Sequence, residues 1–323
     1  STNMGFLSWK WFAVGAGITI LVVKFRAGGK RYRGKEELEG KTVIVTGANT
    51  GIGLCTAQEL AKRKARVILA CRDPKKAEEA VAEIKKAVKQ AEVLYMNLDL
   101  ASFASIRNFA YEVLKNEKSI DVLVNNAGVF RCPFSHTEDG LEMQMGVNHF
   151  GHFLLTNLLL DKLKASAPSR VVVVSSGLAK LGRIDFENLN SEKDYDKRKA
   201  YSNSKLANHL FSRELAQRTE GSGISVYCLH PGMARTQLGR HVPVPKIVKI
   251  ILYPIYWLLV KSAWHASQTV LYCVLNKDLE GDSGGYYGNC KKEEWPQNAL
   301  DDDVAKKLWD ISDKMTPLKF GVA

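Results

Sequence analysis

No two of the chain's six cysteines are paired in the sequence. Cys55, Cys71, Cys132, Cys228, Cys273 and Cys290 stand singly, with no C-x-x-C anywhere. That excludes the usual zinc-finger and dithiol redox motifs, and several of these cysteines sit in apolar runs, where the residue acts as a small hydrophobe. A compartment that keeps thiols reduced follows. The seven histidines contain no H-E-x-x-H array. His149 and His152 have i,i+3 spacing but no third ligand, so no metal is expected. Aromatic RNA-binding motifs are also missing. The net charge of +12 and pI near 9.3 therefore point away from nucleic acid and toward a surface of anionic membrane lipid. Internal repeats and low-complexity linkers are absent too, so nothing divides the chain after about residue 38.

What is present suits a globular protein: 46% of residues are hydrophobic and 25% charged, ample for a core. Residues 4–23 form an apolar run broken only by Lys10 and a few small polar groups. As a helix it would span about 30 Å, the thickness of a bilayer core. Trp9 and Trp11 suit an interface, and Lys24, Arg26, Lys30, Arg31, Arg33 and Lys35 follow as a basic flank that should stay cytoplasmic. An uncleaved anchor is expected. The basic flank argues against a cleaved secretory signal, and a mitochondrial-type targeting segment is the alternative.

From residue 41 onward, short β-branched runs alternate with helical periodicity. The expected strands are 42–46, 66–71, 92–99, 121–128, 170–176 and 224–232, each a nearly continuous apolar run of the kind buried on both faces. Between the second and third, Ala77, Ala80, Val81, Ile84, Ala87 and Val88 follow a helical stripe that begins after Pro74. Acids at the start of 301–314 mark a terminal helix. The series predicts an α/β fold, a doubly wound Rossmann-type domain with a parallel sheet.

Strand 42–46 runs directly into Gly47, Ala48, Asn49, Thr50, Gly51, Ile52 and Gly53, then a helix. Glycines at such a turn let the backbone approach a pyrophosphate, and the helix N-terminus offers free N–H groups. The second strand ends Ala70-Cys71-Arg72-Asp73. An acid there would bind a ribose 2′-hydroxyl, whereas Arg72 suits a 2′-phosphate, so NADP(H) is favoured. The bland alternative pairs Arg72 with Asp73 on the surface. Tyr201 and Lys205 lie at i and i+4, about 5–6 Å apart on one helix face. A lysine that close is expected to lower the tyrosine pKa and make Tyr201 a proton donor to a carbonyl oxygen.

These features stand in a fixed order with others: TGANTGIG, Asp99 and Leu100 after the third strand, Asn125-Asn126-Ala127-Gly128 after the fourth. Asn148 in GVNHFGH, Ser175-Ser176, Tyr201-Ser202-Asn203-Ser204-Lys205 and His230-Pro231-Gly232 complete it. Over residues 40–290 the chain resembles the short-chain dehydrogenase/reductase family. The stretch 125–170, with LACRD and LHPGMARTQLGRH, is similar to its retinol dehydrogenase branch numbered 11 to 14. The resemblance implies Tyr201 as general acid/base, Lys205 as its partner on the nicotinamide ribose, Ser176 on the substrate oxygen and Asn148 in a proton path. It implies cofactor contacts from Gly47, Asn49, Thr50, Gly51, Ile52, Gly53, Arg72, Asp99, Leu100, Asn126, Ala127, Gly128, Tyr201, Lys205, Pro231, Gly232 and Thr236. Relatives commonly carry lysine after GIG where this chain has Leu54, which puts more of the cofactor choice on Arg72.

The expected organisation is thus a hydrophobic anchor and basic flank, 1–37, and a catalytic domain, 38–323. The resemblance implies NADPH-dependent interconversion of retinal and retinol or other lipophilic aldehydes and alcohols. The alternatives are a steroid or lipid-aldehyde reductase and an idle membrane binding protein. Residues 246–261, KIVKIILYPIYWLLVK, are too short and Pro-interrupted to span a bilayer. They read as an apolar pocket cover or membrane-dipping lid, or as an ordinary buried or homodimer-forming helix. The anchor suits the endoplasmic reticulum with the catalytic domain facing the cytosol; the mitochondrial inner membrane is the alternative.

Overall fold

The computed structural model describes residues 29–234 and 260–318. The expected anchor, Thr236 and nearly all of 246–261 lie outside the described residues. Among the described residues no helix is long and apolar enough to cross a membrane.

Eight strands form one sheet in the order β3-β2-β1-β4-β5-β6-β7-β8. They are β1 (Thr42–Thr46), β2 (Arg66–Cys71), β3 (Val93–Asn97), β4 (Val122–Asn125), β5 (Ser169–Val174), β6 (Ile224–His230), β7 (Gly285–Gly288) and β8 (Lys291–Glu293). Every neighbouring pair is parallel except β7 and β8, which run antiparallel. Strand order reverses between β1 and β4, which opens a crevice at their carboxyl ends, where doubly wound folds bind ligands.

Alternation along the central strands feeds two cores. Ile44, Leu123, Val171 and Val173 point to one face; Val43, Val45, Val122, Val124, Val172 and Val174 point to the other. Helices α1 (Gly51–Lys62), α2 (Pro74–Ala87) and α6 (Ala263–Leu275) cover the second face. The first is covered by α3 (Phe103–Asn116), α4 (Gly151–Ala165), α5 (Lys197–Arg218) and α7 (Asp302–Met315). Phe153 on α4 is 1% exposed and packs against Phe211 and Trp309. Truncating it to alanine would cost about 3–5 kcal/mol.

Capping explains the boundaries. Asp73 accepts from the Lys76 N–H and Pro74 occupies the first turn, which starts α2. Asp196 accepts from the N–H groups of Arg198 (2.7 Å) and Lys199 (3.0 Å), which fixes the start of the helix that carries Tyr201 and Lys205. Helix α4 is extended backward by a π-helical turn, Gly146–Phe150, that carries Asn148. Such a turn inserts one extra residue and re-aims side chains, often at functional sites.

Candidate active site

The turn after β1 is closed by backbone. Gly47 has φ +64, a left-handed conformation costly for other residues, and its N–H donates to the Ala70 carbonyl at 2.8 Å. A Cβ on Gly53 would lie 2.5 Å from the Gly47 carbonyl oxygen. Thr50, at the N-cap of α1, makes no side-chain capping bond, and the first turn carries no acid. Its backbone donors are left for an anion. In front of them lies a cavity of about 530 Å³, and every residue expected to touch the cofactor between Gly47 and Gly128 lines it. The residues present therefore fit a dinucleotide. Tyr201, Lys205, Pro231 and Gly232 do not line this cavity; they belong to the neighbouring edge.

At the far end of the cavity stand two cations. Arg72 Nε is 3.8 Å from Asp99 Oδ2, so its partner is not Asp73. Lys76, which sequence reasoning did not single out, also lines the cavity and pairs with Asp73 at 3.0 Å. Both side chains are more than half exposed, so these pairs are weak tethers. The α2 start itself was the clue, because it places Lys76 one turn beyond Arg72. Leu54 is absent from the lining and packs on the core of the second face instead.

Ser176, Tyr201, Lys205 and Asn148 are brought together from three segments: the turn after β5, α5 and the π-helical turn. Tyr201 is 4% exposed, and its phenol hydrogen-bonds Ser176 at the turn after β5. Ser175 is turned away and donates to the Lys205 carbonyl (2.9 Å), which pins α5 to the sheet. Lys205 Nζ donates to the Val174 carbonyl at 3.0 Å and lies 5.9 Å from the centre of the Tyr201 ring. Asn148 Nδ2 donates to Val129 O (3.0 Å) and Ser204 Oγ (2.9 Å), while its Oδ1 accepts from the Val129 N–H (2.8 Å). A Cβ on Gly128 would come 3.1 Å from Asn148 Oδ1 and 3.6 Å from Lys205 Nζ, so the glycine permits this convergence.

The expectation that Lys205 lowers the Tyr201 pKa needs correction. Burial pushes the phenol up to about 12, and the groups that pull it back are Ser176, by its hydrogen bond, and the Arg131 charge. Burial also pushes the Lys205 ammonium down to about 8. Helical spacing predicts proximity but carries no information on desolvation, which here is the largest influence on both groups.

A buried network joins the two edges. His152 Nδ1 meets the Asn148 carbonyl at 3.0 Å, and its Nε2 meets Thr46 Oγ1 at 3.0 Å. A carbonyl can only accept, so Nδ1 carries the proton and Thr46 donates to Nε2. Burial holds His152 neutral by pushing its pKa down to about 4. Thr46 Oγ1 in turn accepts from the N–H groups of Asn126 and Ala127, both at 2.9 Å. Thr46 was missed in the sequence, and His152 was weighed there only as a metal ligand; its i+4 spacing from Asn148 was the available signal. His149 faces elsewhere, with Nε2 on Ser312 Oγ at 2.9 Å. Phe130 was missed as well: its ring meets Tyr201 edge-to-face at 4.6 Å.

With this geometry in place, the comparisons with known proteins are decisive. The family model for short chain dehydrogenases matches residues 41–244. The chain belongs to the short chain dehydrogenase family. It is 51% identical to retinol dehydrogenase 14 of Homo sapiens, over 87% of this chain and 88% of the relative. It is 50% identical to retinol dehydrogenase 13 of Mus musculus, over 94% and 91%. Numbers 14 and 13 are thus nearly level in identity, and number 13 aligns over more of this chain. Among solved structures, an uncharacterized protein from Mycobacterium Paratuberculosis superposes with a TM-score of 0.70 at 34% identity, covering 89% of this chain and 97% of that one.

Proposed function

We propose that this chain is a membrane-anchored, NADP(H)-dependent oxidoreductase that interconverts retinal and retinol or similar lipophilic aldehydes and alcohols. The observation that carries the reading is the convergence of Ser176, Tyr201 and Lys205 beside a glycine-built cavity with two cations at its far end. Relatives about half identical are named retinol dehydrogenases, which supports the substrate class.

Bound in that cavity, the nicotinamide supplies the hydride for reduction or accepts it in oxidation. The protein's own residues manage the oxygen. Tyr201 gives its proton to the carbonyl oxygen as negative charge builds there, and Ser176 donates a second hydrogen bond to the same atom. Lys205, fixed beside Tyr201 by its bond to the Val174 carbonyl, would hold the nicotinamide ribose. Asn148 ties the Val129 backbone to Ser204, the residue before Lys205, and its carbonyl belongs to the proton path. Arg72 and Lys76 hold the 2′-phosphate, so NADPH is preferred over NADH.

A lipophilic substrate fits the rim. Phe134, Leu181 and Met233 are 42%, 68% and 73% exposed, and they sit on the segments that leave the carboxyl ends of β4, β5 and β6. Exposed apolar groups on three loops at the same edge of the sheet suit a binding surface for such a substrate. The N-terminal anchor (1–37) would hold the domain on the endoplasmic reticulum facing the cytosol, with the mitochondrial inner membrane as the alternative.

The test is a turnover screen of the full chain in detergent with NADPH and NADH against retinal, medium-chain aldehydes and keto-steroids. Faster turnover of retinal or aldehydes with NADPH is expected. Equal rates with both cofactors would undo the role of Arg72 and Lys76. Turnover of keto-steroids alone would favour the steroid reductase, and no turnover at all the idle binding protein.

A further inference from the structure

The loop between β4 and the π-helical turn holds a cation that the reaction as described does not use. Arg131 has φ +50, a conformation worth about 1 kcal/mol or more of strain for a residue with a side chain. A buried polar clamp keeps it there. The Arg131 N–H donates to Gln144 Oε1 at 2.7 Å, and Gln144 is fully buried. Gln144 Nε2 donates to the Tyr195 hydroxyl (2.9 Å) and the Lys197 carbonyl (3.0 Å); Tyr195 donates to the Cys132 carbonyl (2.7 Å). Lys197 begins α5, so the clamp ties the loop to the helix that carries Tyr201.

The guanidinium stacks on a ring that touches Tyr201. Its carbon lies 4.8 Å from the centre of the Phe130 ring, and Phe130 meets the Tyr201 ring edge-to-face at 4.6 Å and 87°. Phe130 therefore touches both the cation and Tyr201. Among the described residues no carboxylate pairs with Arg131, and its Nε is buried without a hydrogen-bond partner. Glu142, the acid in the clamp, turns its oxygens to the N–H groups of Gln144 (2.9 Å) and Met145 (2.8 Å). Glu142 therefore does not pair directly with Arg131. Arginine also keeps its charge across the working pH range, whereas the buried Lys205 is pushed down to about 8.

We propose that Arg131 is a positioning residue of the reaction, a second cation that acts through Tyr201 by favouring its phenolate. This rests on Tyr201 being the proton donor and acceptor. The groups facing Tyr201 are Lys205 on its own helix, Ser176 from the turn after β5 and Arg131 from the loop after β4. Arg131 is the charge among the groups that draw the phenol's pKa down from its buried value.

The experiment measures the pH profile of kcat/KM for oxidation of the alcohol that the full chain turns over fastest, with NADP. Oxidation needs the phenolate, so the rate rises as Tyr201 deprotonates. Loss of a nearby cation disfavours the anion and moves that rise upward. For R131M, which retains contact with Phe130, the rise should move up by about half to one pH unit, the size of a charge interaction at intermediate dielectric. At fixed neutral pH that is roughly a 3- to 10-fold slower oxidation with KM unchanged. R131K should keep the wild-type profile, and R131Q provides a second neutral variant if R131M folds poorly. Superimposable profiles for the neutral variants and wild type would overturn the proposal, as would an equal shift in R131K. Tyr201→Phe, run alongside, separates the two readings. If it turns over normally the Tyr201 assignment has failed; if it is inactive while the neutral Arg131 variants leave the profile unmoved, only the role of Arg131 has failed.

Discussion

The two halves of the sheet's carboxyl edge are built by opposite means. On the β1–β2 side the groups that face the cavity are largely backbone: the glycine turn, the uncapped start of α1 and two half-exposed cations at the end. On the β5–β6 side, beside that cavity, the groups gathered are side chains, all but Ser176 almost fully buried, drawn from the β5 turn, α5 and the π-helical turn. The first half recognises a shape and a charge; the second tunes proton affinities. Tyr201, Lys205, His149 and His152 all have pKa values displaced by burial, whereas Arg72 and Lys76 stand in exposed ion pairs.

That difference can be broken from the cavity side first. Arg72→Glu combined with Lys76→Glu should weaken NADPH binding by roughly 30- to 150-fold, as expected when hydrogen bonds worth about 2–3 kcal/mol to a charged group are removed. NADH binding should change by less than about threefold, since nothing else in the glycine turn is touched. Cofactor fluorescence titration reads both, and parallel losses for the two cofactors would contradict a 2′-phosphate site.

A smaller effect sharpens the other half. Burial pushes His149 from an ordinary 6.5 down to about 3, so between those values the unfolded chain binds a proton that the native state does not. The stability this histidine contributes is present above pH 6.5 and is lost as pH falls toward 3, at about 1.4 kcal/mol per pH unit while only the unfolded form is protonated. His149→Gln, which keeps a partner for Ser312, should flatten the fall of the urea midpoint between pH 6.5 and 4 by about one proton. An unchanged slope would show that His149 does not titrate on unfolding.

The same division decides what could be read in the sequence. Strands β1 to β6 were legible because parallel strands covered on both faces are written as continuous apolar runs. Strand β7 reads Gly-Tyr-Tyr-Gly and β8 Lys-Lys-Glu, too short and, for the edge strand, too charged to show such a run. The cofactor turn was legible because its glycines and cations sit close together in the chain. In the catalytic half, Tyr201 and Lys205 announced themselves by helical spacing, but Thr46, Phe130, Arg131, Gln144 and His152 did not. Their roles arise from contacts across the fold, and the wrong direction expected for the Tyr201 pKa has the same origin, since burial is a tertiary property.

The account turns on Tyr201 as the proton donor of the side-chain half, independent of the cavity half. Single-turnover reduction of a medium-chain aldehyde or retinal by wild type and Tyr201→Phe, each preloaded with NADPH, tests it directly. The account predicts NADPH affinity within about twofold of wild type and a reduction rate lower by about 10²–10⁴-fold, the usual worth of a positioned general acid. Reduction by Tyr201→Phe at the wild-type rate would contradict it.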